Sequence, residues 1–243
     1  MRLPIEWLPA QGAPEQLMLL LHGVGGSGAD MAPLAQALRA EFPQAALLAP
    51  DAPQAFSAGE PGHPGRQWFD ETGADDANRD ERVSAALPPL LQWVQQTQQR
   101  LGVEPAATAL VGFSQGGIMA LQAALHADGL AGRVLAFGAR FAAPPQHAPR
   151  YTTLHLFHGA ADRVIAARHT HDALQALAAL NGDATMDIAD GVGHEMHPLL
   201  VQRALFRLRN HIPARTWAAA LGAASGAAAG VASGAAPAHP SDH

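Results

Sequence analysis

Short apolar runs that alternate with longer amphipathic stretches limit what this chain can fold into. Leu17 to Leu21, Ala45 to Ala49, Thr108 to Val111, Arg133 to Phe137 and Thr153 to Phe157 are too short for buried helices. Their near-continuous apolar character fits strands covered on both faces. Ala184 to Ala189 alternates more and suits a sheet edge. Helical patterns fall between them, over Met31 to Ala40, Asp80 to Arg100, Gln115 to His126, Ala166 to Leu180 and Pro198 to His211. That order predicts an α/β fold, a mostly parallel sheet with helices on both faces. Pro88 and Pro89 fall inside the second helical pattern, so that helix is expected to start late, kink or break there.

Two missing residue types narrow the chemistry. The chain has no cysteine, which removes disulfides, thiolate nucleophiles and Cys-containing zinc sites. All 15 side-chain cations other than histidine are arginine, so Schiff-base and P-loop lysines are excluded as well. A nucleophile must then be Ser, Thr, Tyr, His or a carboxylate. A net charge of -6 leaves no basic surplus to neutralise phosphates, which argues against nucleic acid as a partner.

Residues 1–215 read as one domain, and residues 216–243 as an Ala/Gly-rich low-complexity tail without the large apolar groups a core needs. Gly222, Gly226, Gly230 and Gly234 in that tail match the small-xxx-small pattern of packed membrane helices, but Ala and Gly insert weakly, so a membrane anchor is not expected. The first apolar run is too short for a secretion signal, and a cytoplasmic location is expected. The stretch from Pro50 to Arg79 is a long loop rich in Pro, Gly and Asp; Trp68 and Phe69 in its second half place it near a site mouth.

The segment that carries chemistry is Gly112-Phe113-Ser114-Gln115-Gly116, a G-x-S-x-G pattern. A strand pattern leads in and a helix pattern leads out, the context of a nucleophile elbow. A sharp turn of this kind strains the serine backbone and brings neighbouring backbones close, which glycine tolerates. It also lifts the Ser114 hydroxyl above the sheet. A hydroxyl needs a base at neutral pH. In the α/β-hydrolase fold the chain order is Ser, then an acid, then His. Asp162 follows the strand at Thr153 to Phe157, and His194 follows Ala184 to Ala189 on a glycine-flanked loop. Both are expected at the sheet edge that carries Ser114, with His194 as general base and acid and Asp162 orienting it. Asp187, Asp190 and His197 are the competitors. The oxyanion of the transition state needs amide donors. Gln115 supplies one, and Val24, in the run His22-Gly23-Val24-Gly25-Gly26, is expected to supply the other.

Two other classes compete. His194-Glu195-Met196-His197 brings two histidines near a glutamate, but their spacing is one residue short of H-E-x-x-H, so no metal is expected. A non-catalytic binding module on a hydrolase fold is the other.

Taken together, Leu21-His22-Gly23-Val24-Gly25, Gly65-Arg66-Gln67-Trp68-Phe69, Gly112-Phe113-Ser114-Gln115-Gly116-Gly117, His158-Gly159 with Asp162-Arg163-Val164, and Gly193-His194 resemble the phospholipase/carboxylesterase family. This is the acyl-protein thioesterase branch of the α/β-hydrolases. The segment from Gly65 to Phe69, followed by Asn78-Arg79 and Arg82-Val83, is similar to one group of bacterial esterases. The resemblance runs over about residues 15 to 213. It implies a triad of Ser114, Asp162 and His194, an oxyanion hole from the Val24 and Gln115 amides, and Trp68 and Phe69 bordering the acyl pocket. It implies hydrolysis of a small-molecule ester or thioester with no cofactor. The sequence has no pattern for a helical lid over a long acyl groove, so short acyl groups are expected. An acyl-protein thioesterase or lysophospholipase acting on longer chains is the alternative.

Overall fold

A computed structural model describes residues 4–56 and 65–220. Seven strands form one sheet: β1 (Ile5–Trp7), β2 (Gln16–Leu21), β3 (Ala45–Ala49), β6 (Thr108–Phe113), β7 (Arg133–Phe137), β8 (Thr153–Gly159) and β9 (Ala184–Ala189). Their spatial order is β1-β3-β2-β6-β7-β8-β9. Every neighbouring pair is parallel except β1 with β3, where Ile5 faces Ala49. β9 is the edge strand its alternation predicts. β1 carries too few residues between Pro4 and Pro9 to show a period. A separate two-stranded ribbon, β4 (Gln54–Phe56) with β5 (Gly65–Gln67), lies inside the expected long loop.

Alternate residues of β2 face opposite layers, as a central strand requires. Leu17, Leu19 and Leu21 join a core with Val83, Leu87, Leu90 and Val94 of helix α2 (Arg79–Leu101) and with Ile118 and Met119 of helix α3 (Gln115–His126). Met18 and Leu20 face the other core, built with Leu34 and Leu38 of α1 (Ala32–Glu41) and with Leu200 and Ala204 of α5 (Pro198–Asn210). Helix α4 (Arg168–Ala179) adds Ala173 and Leu177 to the first core. Parallel strands put the loops after β2, β6, β8 and β9 at one edge of the sheet, where ligands bind in open α/β folds.

Of the late start, kink or break expected of the second helix, the late start and the break do not occur. α2 runs through Pro88 and Pro89. Both prolines are exposed, as are Ser84 and Ala85, whose carbonyls lose their helical partners. Water can satisfy those carbonyls, while Leu87 and Leu90 stay fully packed on the opposite face.

The chain divides into a compact unit, Met1–Asn210, and a second one from His211. Within the described part of the second unit, residues 214–220 are helical. No helix among the described residues is long and apolar enough to cross a membrane. The four spaced glycines of the tail lie outside the described residues.

Candidate active site

Ser114 sits between β6 and α3 with φ 52 and ψ −119. That conformation is rare for a non-glycine residue and costs about 1–3 kcal/mol, a cost the surroundings must offset. They do so through close backbone packing. A Cβ at Gly116 would lie 2.1 Å from the Leu21 carbonyl oxygen, and one at Gly112 would lie 2.3 Å from the Gly116 carbonyl oxygen. The Ser114 N–H donates to the Phe137 carbonyl (2.9 Å), and the Ile118 N–H to the Ser114 carbonyl (3.0 Å).

The loops after β8 and β9 bring Asp162 and His194 to this serine. Asp162 Oδ2 is 2.6 Å from His194 Nδ1, and His194 Nε2 is 2.9 Å from Ser114 Oγ. An ionised carboxylate only accepts hydrogen bonds, so Nδ1 carries the proton and Nε2 accepts from the serine hydroxyl. Phe113 packs against the imidazole with ring centroids 4.9 Å apart. Gly138, at φ 52, leaves room for both rings: a Cβ there would crowd them, at 3.3 Å from His194 Nδ1 and 3.4 Å from Phe113 Cε2.

Asp162 is itself fixed. Its Oδ1 accepts from the N–H groups of Val164 (2.8 Å) and Ile165 (2.9 Å). Burial pushes its pKa up, but the His194 bond and those two amides together outweigh this and hold it below the ordinary carboxylate value. The competitors lie elsewhere. Asp187 accepts from Arg207 Nε at 2.8 Å, and His197 accepts from the exposed Leu199 N–H. The segment from His194 to His197 is a loop ahead of α5, so its two histidines do not share a helix face.

His158, fully buried at the end of β8, escaped functional assignment in the sequence. Its Nε2 lies 2.7 Å from the Ile165 carbonyl and 3.2 Å from Asp162 Oδ2, both acceptors, so Nε2–H is forked between them. Its Nδ1 accepts from the Thr170 hydroxyl at 2.7 Å. Burial lowers its pKa, in keeping with this neutral form. The imidazole ties the Asp162 turn to α4.

The loop after β2 is built to present amides. Buried His22 accepts the Ala52 N–H at Nε2 (3.0 Å), which leaves Nδ1–H to donate to the Gly23 carbonyl (2.7 Å). The Gly25 N–H donates to the Arg66 carbonyl (2.8 Å), and the Gly26 N–H to the Gly23 carbonyl (3.2 Å). Among the described residues no acceptor meets the Val24 or Gln115 N–H. Both residues line the cleft next to Ser114.

The Gln115 side chain does work its position in the pattern does not announce. Only 2% exposed, it accepts the Trp68 N–H at Oε1 (2.7 Å) and donates from Nε2 to the Phe69 carbonyl (3.0 Å) and to Glu71 Oε2 (3.0 Å). Trp68 Nε1–H donates to the His22 carbonyl at 2.9 Å. The 65–71 segment is thereby fastened both to the elbow and to the amide loop.

Trp68 and Phe69 need correction. The resemblance sets them at the border of the acyl pocket, but each is 1% exposed, belongs to the hydrophobic core and does not line the cleft beside Ser114. Large aromatics gain most from full burial, and a hydrogen bond for the indole N–H makes that burial complete. The cleft beside Ser114, about 200 Å³, is lined instead by Val24, Ile118, Val164, Ile165 and the polar side chains of Glu71, Arg79, Arg140 and His169.

A sequence profile described as phospholipase/carboxylesterase matches residues 8–212. Over 209 residues the chain is 40% identical to esterase YpfH of Escherichia coli (strain K12), covering 85% of this chain and 88% of that one. It is 26% identical to acyl-protein thioesterase 1 of Gibberella zeae over 85% of this chain and 95% of the relative. Among solved structures, esterase PE8 superposes with a TM-score of 0.78 at 31% identity, over 86% of this chain and 98% of that one.

Proposed function

The chain belongs to the phospholipase/carboxylesterase family, and from that premise we propose that it is a serine carboxylesterase that cleaves small carboxylic esters and thioesters through an acyl-Ser114 intermediate. The observation that carries this reading is the line from Ser114 Oγ through His194 to Asp162, with steps of 2.9 and 2.6 Å, on a strained elbow.

Ser114 Oγ attacks the carbonyl carbon while its proton passes to His194 Nε2. The imidazolium that forms is held through Nδ1–H by Asp162. The carbonyl oxygen, now negative, takes the Val24 and Gln115 N–H groups. Collapse expels the alcohol or thiol, which takes the proton back from His194. Water then repeats the attack on the acyl-serine, with His194 as base, and releases the acid. Each step uses only this chain's groups and water.

Short acyl groups are the favoured substrates in this reading, supported by a cleft smaller than the roughly 300–1,000 Å³ usual for larger ligands. The first 215 residues are proposed as the catalytic unit, working in the cytoplasm, which cell fractionation tests. The test of the reaction is a p-nitrophenyl ester series from acetate to palmitate, with Ser114→Ala alongside and fluorophosphonate labelling as a second readout. Turnover is expected to peak at short chains, and Ser114→Ala to fall by about 10⁴–10⁶ in kcat and take no label. A folded Ser114→Ala that keeps more than a few per cent of the activity would sink the assignment. A peak at long chains would move the substrate to lysophospholipids or acylated proteins.

A further inference from the structure

The cleft beside Ser114 carries more positive charge than ester cleavage requires. Arg79, from the first turn of α2, and Arg140, from the loop after β7, both line it. Their side chains are only 12% and 18% exposed. Both guanidinium groups reach one oxygen, Asp76 Oδ1, at 2.7 and 3.0 Å. Arg140 also donates from Nε to the Phe141 carbonyl (3.3 Å), and its Nη1 lies 3.5 Å from His169 Nε2. Among the described residues no acceptor meets Nη2 of either arginine or Nε of Arg79. A guanidinium is a planar fork of five N–H donors matched to carboxylates, and one oxygen of one acid cannot occupy two such forks. The acid that lines the cleft itself, Glu71, is engaged by Gln115 Nε2 at 3.0 Å.

Asp76 is a weak occupant. Its side chain is 77% exposed, and water and salt screen ion pairs with so exposed an acid until they add little. An incoming carboxylate can displace it, or sit beside it on the unused donors, at little cost. The arginines come from two different elements and both side chains are mostly buried, that of Arg140 braced also by the Phe141 carbonyl. They therefore form a receptor that exists before substrate arrives, which spares the ordering cost of binding.

We propose that this cleft selects esters or thioesters bearing a carboxylate, with Arg79 and Arg140 as its receptor and Asp76 as the place-holder in the free protein. The proposal rests on the reading of Ser114 as nucleophile and names the substrate class of that same site.

The test compares kcat/KM within two matched pairs. Mono-4-nitrophenyl glutarate against 4-nitrophenyl pentanoate puts the charge on the acyl side. 4-Acetoxybenzoate against its methyl ester puts it on the leaving group. The wild type is expected to favour the anionic member of at least one pair by tenfold or more, and the responding pair tells which side faces the arginines. Arg79→Gln and Arg140→Gln should each cut that anionic-to-neutral ratio about tenfold, mainly through KM. Asp76→Asn should raise it, because both forks are freed. Free glutarate should inhibit the wild type competitively, a readout independent of whether any variant folds. Ratios near or below one in both pairs overturn the proposal, as does an arginine variant that loses equally on both members, an Asp76→Asn that lowers the ratio, or an absence of inhibition by glutarate. If these failures come with neutral-ester turnover and Ser114 labelling intact, the esterase reading stands and only the carboxylate receptor falls. No turnover of any ester and no labelling would remove both.

Discussion

Replacing Gln115 with methionine tests whether the elbow is fastened to the 65–71 segment by hydrogen bonds or only by packing. Methionine keeps the length of the side chain and removes its polar end. Gln115 is 2% exposed, and the residues carrying its two backbone partners, Trp68 and Phe69, are each 1% exposed. The substitution strands the Trp68 N–H, which now donates at 2.7 Å, and the Phe69 carbonyl, which now accepts at 3.0 Å. An unsatisfied buried group costs about 1–3 kcal/mol, so two cost about 2–6. Burying an apolar side chain in place of an amide returns about 1–2 kcal/mol of this. The Glu71 bond adds little, since that carboxylate is half-buried and can turn to water. At the middle of each range the net loss is about 2–3 kcal/mol. Urea unfolding read by tryptophan fluorescence measures it, with the slope checked against wild type to exclude a change in the unfolded state. Gln115→Glu is the internal control. It keeps the acceptor for Trp68 but turns a carboxylate on the Phe69 carbonyl and on Glu71. It should be at least as destabilised as Gln115→Met at pH 7.5 and partly recover at pH 5. A loss below about 1 kcal/mol in Gln115→Met would refute the argument, and the 65–71 segment would then be held by its aromatic packing alone.

Three further outcomes follow from the same geometry. Asp162→Asn keeps the shape but lets the imidazole adopt the wrong tautomer, so kcat should fall by about 10⁴ with the fold intact; steady-state kinetics beside a circular dichroism spectrum checks it, and a loss under tenfold would mean that Asp162 does not orient His194. Burial pushes both His22 and His158 below the ordinary imidazole value of 6.5, so near and below that pH the unfolded chain binds protons that the folded chain refuses. Their contribution is complete above 6.5 and is lost as pH falls toward the folded values, while Asp162, held below 3.8, loses its own only at still lower pH. The urea midpoint should therefore drop between pH 7.5 and 5.5, and a flat or rising profile would contradict the burial of two neutral imidazoles. A chain ending at Arg215 should keep kcat/KM within about twofold of the full chain, and a tenfold loss would place part of the site's support in residues 216–243.

What the sequence made legible is what repeats or what chemistry forces into a local pattern. Strands buried on both faces must be apolar throughout, so β2, β3, β6, β7 and β8 stand out, and the elbow needs glycines at 112 and 116 because backbone oxygens lie where their Cβ atoms would go. β1 has three residues and no period to read. That α2 continues through its prolines depends on whether the freed carbonyls face water, which only the packed structure shows. The same limit explains Trp68 and Phe69. Two aromatics in a polar loop suggest a binding surface, and only their burial and their hydrogen bonds to Gln115 and the His22 carbonyl show that they tie the amide loop to the elbow. His158 and Gln115 stood inside the motifs, yet the Gln115 partners come from a segment distant in sequence, and the His158 partners, at Asp162, Ile165 and Thr170, meet it only once the loop after β8 folds back. Arg79 and Arg140 are the extreme case, since nothing in either neighbourhood marks them as a pair. The pattern around Ser114 is written locally, because the turn that holds its hydroxyl is local. The groups that choose a substrate converge from separate elements, so a family resemblance can carry the reaction to this chain while leaving its substrate to be read from the side chains that meet across the cleft.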